Sequence, residues 1–360
     1  MSDPAPRGTG SEGGDEPGLT GRRVAVSGGT GFVGRAVVRL LLAARAEVTV
    51  LTRDPSRARA SVPEGVALRA CDLARAPGRP AGLDLALRGA EAVVHAARAS
   101  SYDDEAAVAR EEALTRTLLD AAIEASVRRF VHFSTASVYA RPPAGTLDES
   151  SPWRAGGSAY VRAKQGAERL VLERGAALGA VVLQPVAVYG PGPSWWTGGL
   201  LDLMSRGRYP LVDGGAGLAN LIHVEDLARA ALLALRAPDA TGQRFLVCDG
   251  RPVTWREYFT HLERILGRRA TVERPLQEAL ARSRTLRDRS LRARARRWAA
   301  RRLLRRELEW PLDDEGLLEQ ASRAVFDPSR VRERLGFQAQ VDLERGMRDV
   351  GAWWRARGAQ

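Results

Sequence analysis

Residues 23–34 read Arg-Val-Ala-Val-Ser-Gly-Gly-Thr-Gly-Phe-Val-Gly, and this stretch decides the fold. Its first apolar run is typical of a buried strand, and residues 32–42 carry apolar side chains at helical spacing. Glycines fill the turn between the two elements. We expect Gly28 to allow the tight turn, Gly31 to let the backbone approach a pyrophosphate, and Gly34 to let the helix lie close to the strand.

The position of this turn predicts a dinucleotide-binding site. The free N–H groups at the start of the following helix would face the negative charge of a diphosphate. Glycines in a strand-to-helix turn also serve purely structural needs, so a glycine triplet alone indicates little. Its place at the head of a strand–helix–strand pattern favours the nucleotide interpretation.

Strand-like and helix-like segments alternate through the first half of the chain. This alternation predicts an α/β fold with a doubly wound parallel sheet and a smaller C-terminal substrate-binding domain. The predicted later strands cover residues 47–52, 66–70, 92–97, 129–134, 180–186, 218–224 and 245–248. The predicted domains are a disordered tail at 1–20, a cofactor domain at 21–190 with 218–250 returning to it, and a substrate domain at 191–217 and 251–355.

Composition sets the broad class. The chain has 360 residues, of which 44% are hydrophobic, as expected of a folded globular protein. Its two cysteines form no disulfide framework, and no apolar run is long enough to span a membrane. We therefore expect a protein of the reducing cytoplasm, although attachment to a membrane surface stays open.

Positive charge is concentrated in one segment. Residues 280–306 contain twelve arginines and a single acid, Asp288, whereas the whole chain has a formal net charge of +12. The remainder is nearly neutral, so a basic body that binds nucleic acid is not expected. The segment predicts one or two helices that are simply solvated, lie on an anionic membrane surface, or dock an acidic carrier protein.

The end of the second predicted strand bears on which nicotinamide cofactor is bound. An acid at this position would accept the ribose hydroxyls of NAD, but the chain has Arg53 there and Arg57 nearby. These arginines could pair with a 2′-phosphate, so we favour NADP(H). Two alternatives remain, since both arginines could be merely solvated and Asp54 could compete for the site.

Tyr160 and Lys164 lie four positions apart in a predicted helix. That spacing puts phenol and ammonium on one face, where the cation stabilises the phenolate and makes the tyrosine more acidic. Thr135, at the end of the fifth strand, can hold a substrate oxygen by its hydroxyl. Lys164 is the only lysine in the sequence, against fifty-four arginines. A compact ammonium fits between a ribose and a phenol where a forked guanidinium does not.

These motifs together resemble the extended branch of the short-chain dehydrogenase/reductase superfamily, the NAD(P)-dependent epimerase/dehydratase family. The resemblance covers nearly all of residues 22–354 except the arginine-rich segment. Residues 220–223 and 252–255 look most like the hydroxysteroid-dehydrogenase-like and dihydroflavonol-reductase-like members. By analogy with the superfamily, a homodimer is also expected.

The resemblance implies a catalytic set of Thr135, Tyr160 and Lys164. It also implies that Asp72 meets the adenine amino group and that residues 184–185 and 188–192 lie beside the nicotinamide carboxamide. No metal site is implied. The predicted cofactor-binding residues are Gly28, Thr30, Gly31, Phe32, Val33, Gly34, Arg53, Arg57, Asp72, Leu73, Ala96, Ala97, Tyr160, Lys164, Pro185 and Val188.

Three positions depart from the family pattern. Gln184 stands where arginine usually precedes the proline, which weakens one supporting hydrogen bond. Glu111 replaces a common asparagine, so a proton relay through it is not expected. Ala219 replaces the arginine that grips a sugar nucleotide's phosphate, which turns the prediction away from sugar-nucleotide epimerases.

The predicted activity is reversible hydride transfer between NADP(H) and a carbonyl or secondary alcohol of a small substrate of low polarity. An epimerase or dehydratase that recycles its cofactor needs the same three residues and stays open, as does a non-catalytic cofactor-binding scaffold. One further alternative concerns apolar residues that either line a substrate cavity or form the core of the smaller domain. These are Trp195, Trp196, Leu200, Leu201, Met204 and Tyr209.

Overall fold

The computed structural model describes residues 18–74, 78–99, 102, 105–287, 308–309 and 313–358. The predicted tail as far as residue 17, and the arginine-rich segment from residue 288 to 306, lie outside the described residues. No helix among the described residues is long and apolar enough to cross a membrane.

A seven-stranded parallel sheet forms the centre of the molecule. Its strands lie in the order β11-β7-β5-β4-β1-β2-β3. They are β1 (Arg23–Ser27), β2 (Glu47–Thr52), β3 (Ala67–Ala70), β4 (Ala92–His95), β5 (Arg129–Phe133), β7 (Ala180–Pro185) and β11 (Gln243–Val247). This is a doubly wound sheet in which the order reverses next to β1, so the predicted α/β fold is confirmed.

Helices cover both faces of the sheet. The helices are α1 (Phe32–Ala43), α2 (Pro55–Arg59), α3 (Leu83–Leu87), α4 (Ala106–Glu124), α5 (Ala159–Arg174), α6 (Leu200–Arg206), α7 (Val224–Arg236), α8 (Trp255–Leu266), α9 (Leu276–Arg287), α10 (Asp314–Ala321), α11 (Ser329–Leu335) and α12 (Leu343–Gly358). Val24 and Val26 pack in a core with α1 and α7, whereas Ala25 packs on the opposite face with α3, α4 and α5. Burial on both faces explains why the strands read as continuous apolar runs.

Three small sheets lie outside the central one. They pair β8 (Ala187–Tyr189) with β10 (Leu221–His223), β6 (Ala144–Leu147) with β14 (Arg323–Phe326), and β9 (Gly207–Val212) with both β12 (Thr271–Arg274) and β13 (Leu308–Glu309). The last sheet packs beside an apolar cluster that includes Leu200, Met204 and Tyr209. Each of these three side chains is at most 2% exposed. The sequence left their role open, and they belong to a core.

Thr254 caps α8, since its Oγ1 accepts a hydrogen bond of 3.2 Å from the Glu257 amide. The fourth strand was expected to reach Ala97 but ends at His95. The Ala96 amide still donates to the Ser27 carbonyl, and beyond it the chain turns away at the edge where the glycine turn lies.

Candidate active site at the carboxyl ends of the strands

The glycine turn connects β1 to α1 at the point where the strand order reverses. Gly28 has φ +72°, and a Cβ there would come within 2.5 Å of the Ala96 carbonyl carbon. A Cβ on Gly34 would overlap the Gly28 carbonyl and lie 2.8 Å from the Gly29 Cα. Gly34 therefore lets α1 approach the turn itself rather than the strand, which refines the prediction.

Gly29 was not singled out by the sequence, although it is as constrained as its neighbours. A Cβ at this position would lie 2.7 Å from a methyl group of Val50 on β2. The adjacent pair Gly28 and Gly29 could have indicated this constraint, because a tight turn needs only one glycine.

The start of α1 is open and carries no negative charge. Gly31 is its N-terminal cap, no side chain caps the helix, and no acid lies in the first turn. A Cβ on Gly31 would meet only the Gly28 carbonyl, at 3.2 Å. Free helical N–H groups beside an exposed glycine fit the diphosphate of a dinucleotide. Thr30, Phe32 and Val33 flank this opening and are half-buried.

The end of β2 places three charged residues at the surface. Arg53 and Arg57 are exposed. Asp54 caps α2, where its carboxylate accepts a 3.0 Å hydrogen bond from the Arg57 amide. The carboxylate that was expected to compete for a ribose is therefore engaged by the backbone. Asp72, after β3, is half-buried and accepts from the Ala74 amide at 3.1 Å, with Leu73 between them.

A buried hydrogen-bond chain supports the edge where β4 ends. The Ser27 hydroxyl lies 2.7 Å from Nδ1 of His95, whose Nε2 is 3.2 Å from the Thr115 hydroxyl. Burial lowers the pKa of His95 to about 4, so the ring is neutral at ordinary pH. The histidine is a packed core residue, and it fixes the strand end that carries Ala96 and Ala97.

Lys164 projects from α5 toward the end of β5, and Tyr160 lies one turn earlier on the same helix. Lys164 is 5% exposed, and its Nζ lies 3.3 Å from the Phe133 carbonyl oxygen. Tyr160 is half-buried. Thr135 follows the strand, is 7% exposed, and accepts a 3.2 Å hydrogen bond from the Ser137 amide. Gln165 adds a second link by donating to the Val138 carbonyl at 3.2 Å. Helix α5 is thus held against the segment that carries Thr135.

The contact between Glu111 and Lys164 is the main feature of the site that sequence reasoning missed. Glu111 is fully buried on α4, and its Oε1 lies 2.8 Å from Nζ of Lys164. The sequence did not predict this contact, and the expectation that no proton relay passes through Glu111 stays a prediction. A signal was present, since Glu111 falls on the same helical stripe as the buried Leu114 and Leu118.

Two further donors satisfy Glu111. Its Oε2 accepts from the Ala99 amide at 2.5 Å and from the Tyr102 hydroxyl at 3.0 Å. The Tyr102 ring meets the Tyr160 ring edge to face, with centroids 5.0 Å apart. Glu111 therefore contacts Lys164 and also holds a neighbour of Tyr160.

Gln184 also lies in a network rather than at a weakened contact. Its amide nitrogen donates to both carboxylate oxygens of Glu168, at 2.9 and 3.0 Å, and its oxygen accepts from the Tyr139 hydroxyl at 2.7 Å. Arg244 lies 3.5 Å from Glu168. Gln184 therefore has its own hydrogen bonds to Glu168 and Tyr139 in place of the one expected from arginine.

The loop after β8 approaches the start of α1. Pro185 is buried and Val188 half-buried, and a Cβ on Gly192 would lie 2.9 Å from the Phe32 ring. A short π-helical turn at Trp195–Gly199 follows, in which Trp195 is 55% exposed. The exposed Trp195 thus follows, three positions later in the chain, the glycine that contacts Phe32 at the start of α1.

The strand order and the turn at its reversal define a Rossmann-type α/β protein. A model of the NAD dependent epimerase/dehydratase family matches residues 24–248, more than half of the sequence. The chain belongs to that family. It is an NAD(P)-dependent oxidoreductase of the extended short-chain dehydrogenase/reductase superfamily.

Curated relatives include two bacterial reductases. The 3-diazoavenalumate denitrifying reductase of a Streptomyces species is 34% identical over 72% of this chain and 86% of that protein. The 4-hydroxy-2-methyl-3-oxo-4-farnesyl-3,4-dihydroquinoline-1-oxide ketoreductase of Stigmatella aurantiaca is 32% identical over 72% and 78%.

Solved structures share the fold. MoeE5 in complex with UDP-glucose and NAD superposes with a TM-score of 0.69 at 22% identity, covering 94% of this chain and all of that one. DesIV, a dTDP-glucose 4,6-dehydratase from Streptomyces venezuelae with NAD bound, gives 0.67 at 25% identity, covering 94% and 98%.

Proposed function

We propose that the protein is an NADP(H)-dependent reductase that transfers hydride reversibly between nicotinamide and a carbonyl or secondary alcohol. The observation that carries this proposal is the arrangement of Tyr160 and Lys164 on α5. The lysine reaches the Phe133 carbonyl at the end of β5, two residues before Thr135. The proposed acid Tyr160, the ammonium of Lys164 and the hydroxyl of Thr135 therefore belong to the same edge of the sheet as the glycine turn.

Each of these residues has a defined task. The bound cofactor, when reduced, supplies hydride to the carbonyl carbon of the substrate. The Tyr160 hydroxyl gives its proton to the carbonyl oxygen, so that the alcohol is formed and a phenolate remains to be reprotonated from solvent. Lys164 stabilises that phenolate, and the Thr135 hydroxyl donates a hydrogen bond to the developing alkoxide.

The preference for NADP(H) over NAD(H) rests on the end of β2. Arg53 and Arg57 are exposed there, and the Asp54 carboxylate caps α2. Two exposed guanidinium groups beside a carboxylate that already accepts a backbone hydrogen bond suit a 2′-phosphate, which arginine binds through paired hydrogen bonds.

Ala219 and Trp195 support a substrate of low polarity. Ala219 is 1% exposed within an apolar cluster, so the position at which related sugar-nucleotide enzymes carry a phosphate-gripping arginine is closed. Trp195 offers an exposed apolar face near the start of α1. The ketoreductase relative is named for a substrate with a ring system and a farnesyl chain. A planar or prenylated ketone fits these features.

A second candidate is an epimerase or dehydratase that acts on a sugar nucleotide and recycles its cofactor. The likeness to DesIV favours it, since that enzyme is a dTDP-glucose 4,6-dehydratase. It would use the same Tyr160 and Lys164. The uncharged, buried Ala219 speaks for the reductase instead.

Replacing Tyr160 by Phe tests the proposal. We expect NADPH-dependent ketone reduction to fall by roughly two to four orders of magnitude, because the general acid is lost. NADPH binding, followed by nucleotide fluorescence, should be unchanged. Tyr139→Phe is the matched control, since it removes a buried hydroxyl that donates to Gln184. Turnover by Tyr160→Phe at a rate close to that of the control would refute the role of the phenol.

A further inference from the structure

A water-exposed tryptophan is carried on a well-fixed turn after β8. Trp195 is 55% exposed, more than any other large apolar side chain among the described residues. The Ser194 hydroxyl accepts a 3.1 Å hydrogen bond from the Thr197 amide. The Thr197 hydroxyl in turn accepts one of 3.1 Å from the Gly190 amide. These bonds hold the backbone under the indole in place.

Two further tryptophans extend the same surface. Trp353 and Trp354 are half-buried near the end of α12, where they continue the apolar stripe of that helix. A Cβ built on Gly198 would lie 3.1 Å from the Trp353 ring. A Cβ on the adjacent Gly199 would lie 3.3 Å from the Trp195 ring. The turn and the helix end therefore meet, and we call Trp195, Trp353 and Trp354 the tryptophan surface.

Positive charge lies beside the tryptophan surface. Arg206 ends α6, which directly follows the turn, Arg264 lies near the end of α8, and Arg355 follows the tryptophans on α12. Ile265 and a guanidinium nitrogen of Arg355 both lie within 3.5 Å of a Cβ built on Gly351, so α8 packs on α12 there. The three arginines are exposed, and none forms an ion pair within the part of the chain that the structure describes.

The negative charge at this surface is already paired. Asp202 on α6 lies 3.1 Å from the guanidinium of Arg357. That guanidinium also lies over the rings of Trp353 and Trp354, 5.9 and 5.3 Å from their centres. Residues 350–358 of α12 contain no acid. The tryptophan surface is therefore apolar in its middle and cationic around it.

We propose that the tryptophan surface docks on an anionic lipid bilayer, with its indoles at the level of the headgroups and the neighbouring arginines toward lipid phosphates. Indole and guanidinium groups are the side chains that the interface of a membrane favours. A second copy of the chain fits less well, since a two-fold contact here would bring guanidinium groups of like charge together.

Docking at this surface would bring the bilayer close to the cofactor site. A Cβ on Gly192, three positions before Trp195, would lie 2.9 Å from the Phe32 ring at the start of α1. A substrate of low polarity dissolves in lipid, so the entrance would face the phase that holds it. The docking itself does not depend on the reaction, and it concerns another surface than residues 280–306.

Sedimentation of the full chain with vesicles of phosphatidylglycerol and phosphatidylcholine measures docking. Trp195→Ser should weaken binding about tenfold, because a large apolar side chain is lost from the interface. Leu85→Ser is the matched control, since Leu85 is 50% exposed on α3 and lies outside the tryptophan surface. It should bind like the parent protein. Arg264→Gln combined with Arg355→Gln should lower the affinity and weaken its dependence on salt.

Lipid brominated on its acyl chains separates this docking from attachment through the arginine-rich segment. Bromine quenches the fluorescence of an indole that it contacts, and Trp195→Phe removes that indole but keeps an apolar ring. We expect the difference in emission between the parent and Trp195→Phe to be quenched by these vesicles. Attachment through residues 280–306 alone would leave the difference unquenched and would overturn the proposal.

Two measurements without lipid complete the test. The unfolding temperature of Trp195→Ser should equal that of the parent, since the side chain is already exposed in the free protein. Sedimentation velocity should give both proteins the same mass. A dimer that Trp195→Ser converts into a monomer would assign the surface to a second copy instead. Equal vesicle binding by Trp195→Ser and Leu85→Ser would also contradict the docking.

Discussion

Gln184 and Glu111 show how single residues can depart from a family pattern without leaving a site incomplete. Gln184 binds both oxygens of the buried Glu168, and Arg244 from the neighbouring strand β11 supplies a positive charge 3.5 Å away. The missing arginine is thus replaced by an amide and a guanidinium that come from different strands. Glu111 instead adds a charge that pairs with Lys164.

At the same scale, Arg53 is expected to decide between the two nicotinamide cofactors. Arg53→Ala should raise the KM for NADPH roughly tenfold or more and leave that for NADH nearly unchanged, since a hydrogen bond to a charged group contributes about 1.5–3 kcal/mol. Steady-state kinetics with both cofactors measure the ratio. Arg88→Ala, which removes an exposed arginine after α3, is the control. An equal loss with both cofactors would contradict a 2′-phosphate contact.

Much of the candidate site could be predicted from the sequence because its chemistry depends on local spacing. Tyr160 and Lys164 are four positions apart on one helix, and the glycines lie close together within residues 28–34. Both are short-range patterns. The partner of Lys164 could not be predicted in this way, because Glu111 lies 53 positions earlier on another helix. Only the packing of α4 beside α5 brings the two side chains together.

Among the elements, α1 and its glycine turn are the most tightly constrained. The helix can start beside Gly28 only because Gly34 has no side chain, and the open N–H groups at the cap Gly31 depend on that approach. Strands of the central sheet were predicted well because each contains a short cluster of apolar residues. The pairing of β6 with β14 was not predictable, since these strands are far apart in sequence and short.

Gly34→Ala should therefore displace the whole of helix α1 and so weaken the cofactor site. Its Cβ would meet the backbone of Gly28, which cannot rotate away, so α1 must shift outward. We expect NADPH affinity to fall at least about tenfold and the unfolding temperature to drop by several degrees, a cost typical of overpacking.

Gly351→Ala provides the control for that prediction. It places the same methyl group within α12, where the nearest atom is 3.4 Å away on a flexible arginine. Alanine is favoured over glycine inside a helix, so this variant should be neutral or slightly stabilising. Full NADPH affinity in Gly34→Ala would contradict the assigned constraint.

The whole molecule is held together across the sequence by Asp226. This fully buried carboxylate at the start of α7 accepts from the Gln340 and Val341 amides, at 3.0 and 2.9 Å, and from Arg229. The C-terminal segment is thereby fixed to a helix of the central fold.

Partners of the whole chain remain predictions. The arginine-rich segment at 280–306 is described only as far as residue 287, where α9 ends. Its docking to an anionic membrane surface or an acidic carrier, the homodimer, and the division into two domains follow from sequence patterns and the family resemblance alone.

The central claim is that the protein performs net hydride transfer to a carbonyl group. The most direct measurement supplies NADPH deuterated at the transferred position of the nicotinamide, together with apolar ketones and sugar nucleotides. We predict that one NADPH is oxidised for each alcohol formed and that deuterium appears on the carbinol carbon. Conversion of a sugar nucleotide with no net NADPH consumption would contradict this account and identify an epimerase or dehydratase.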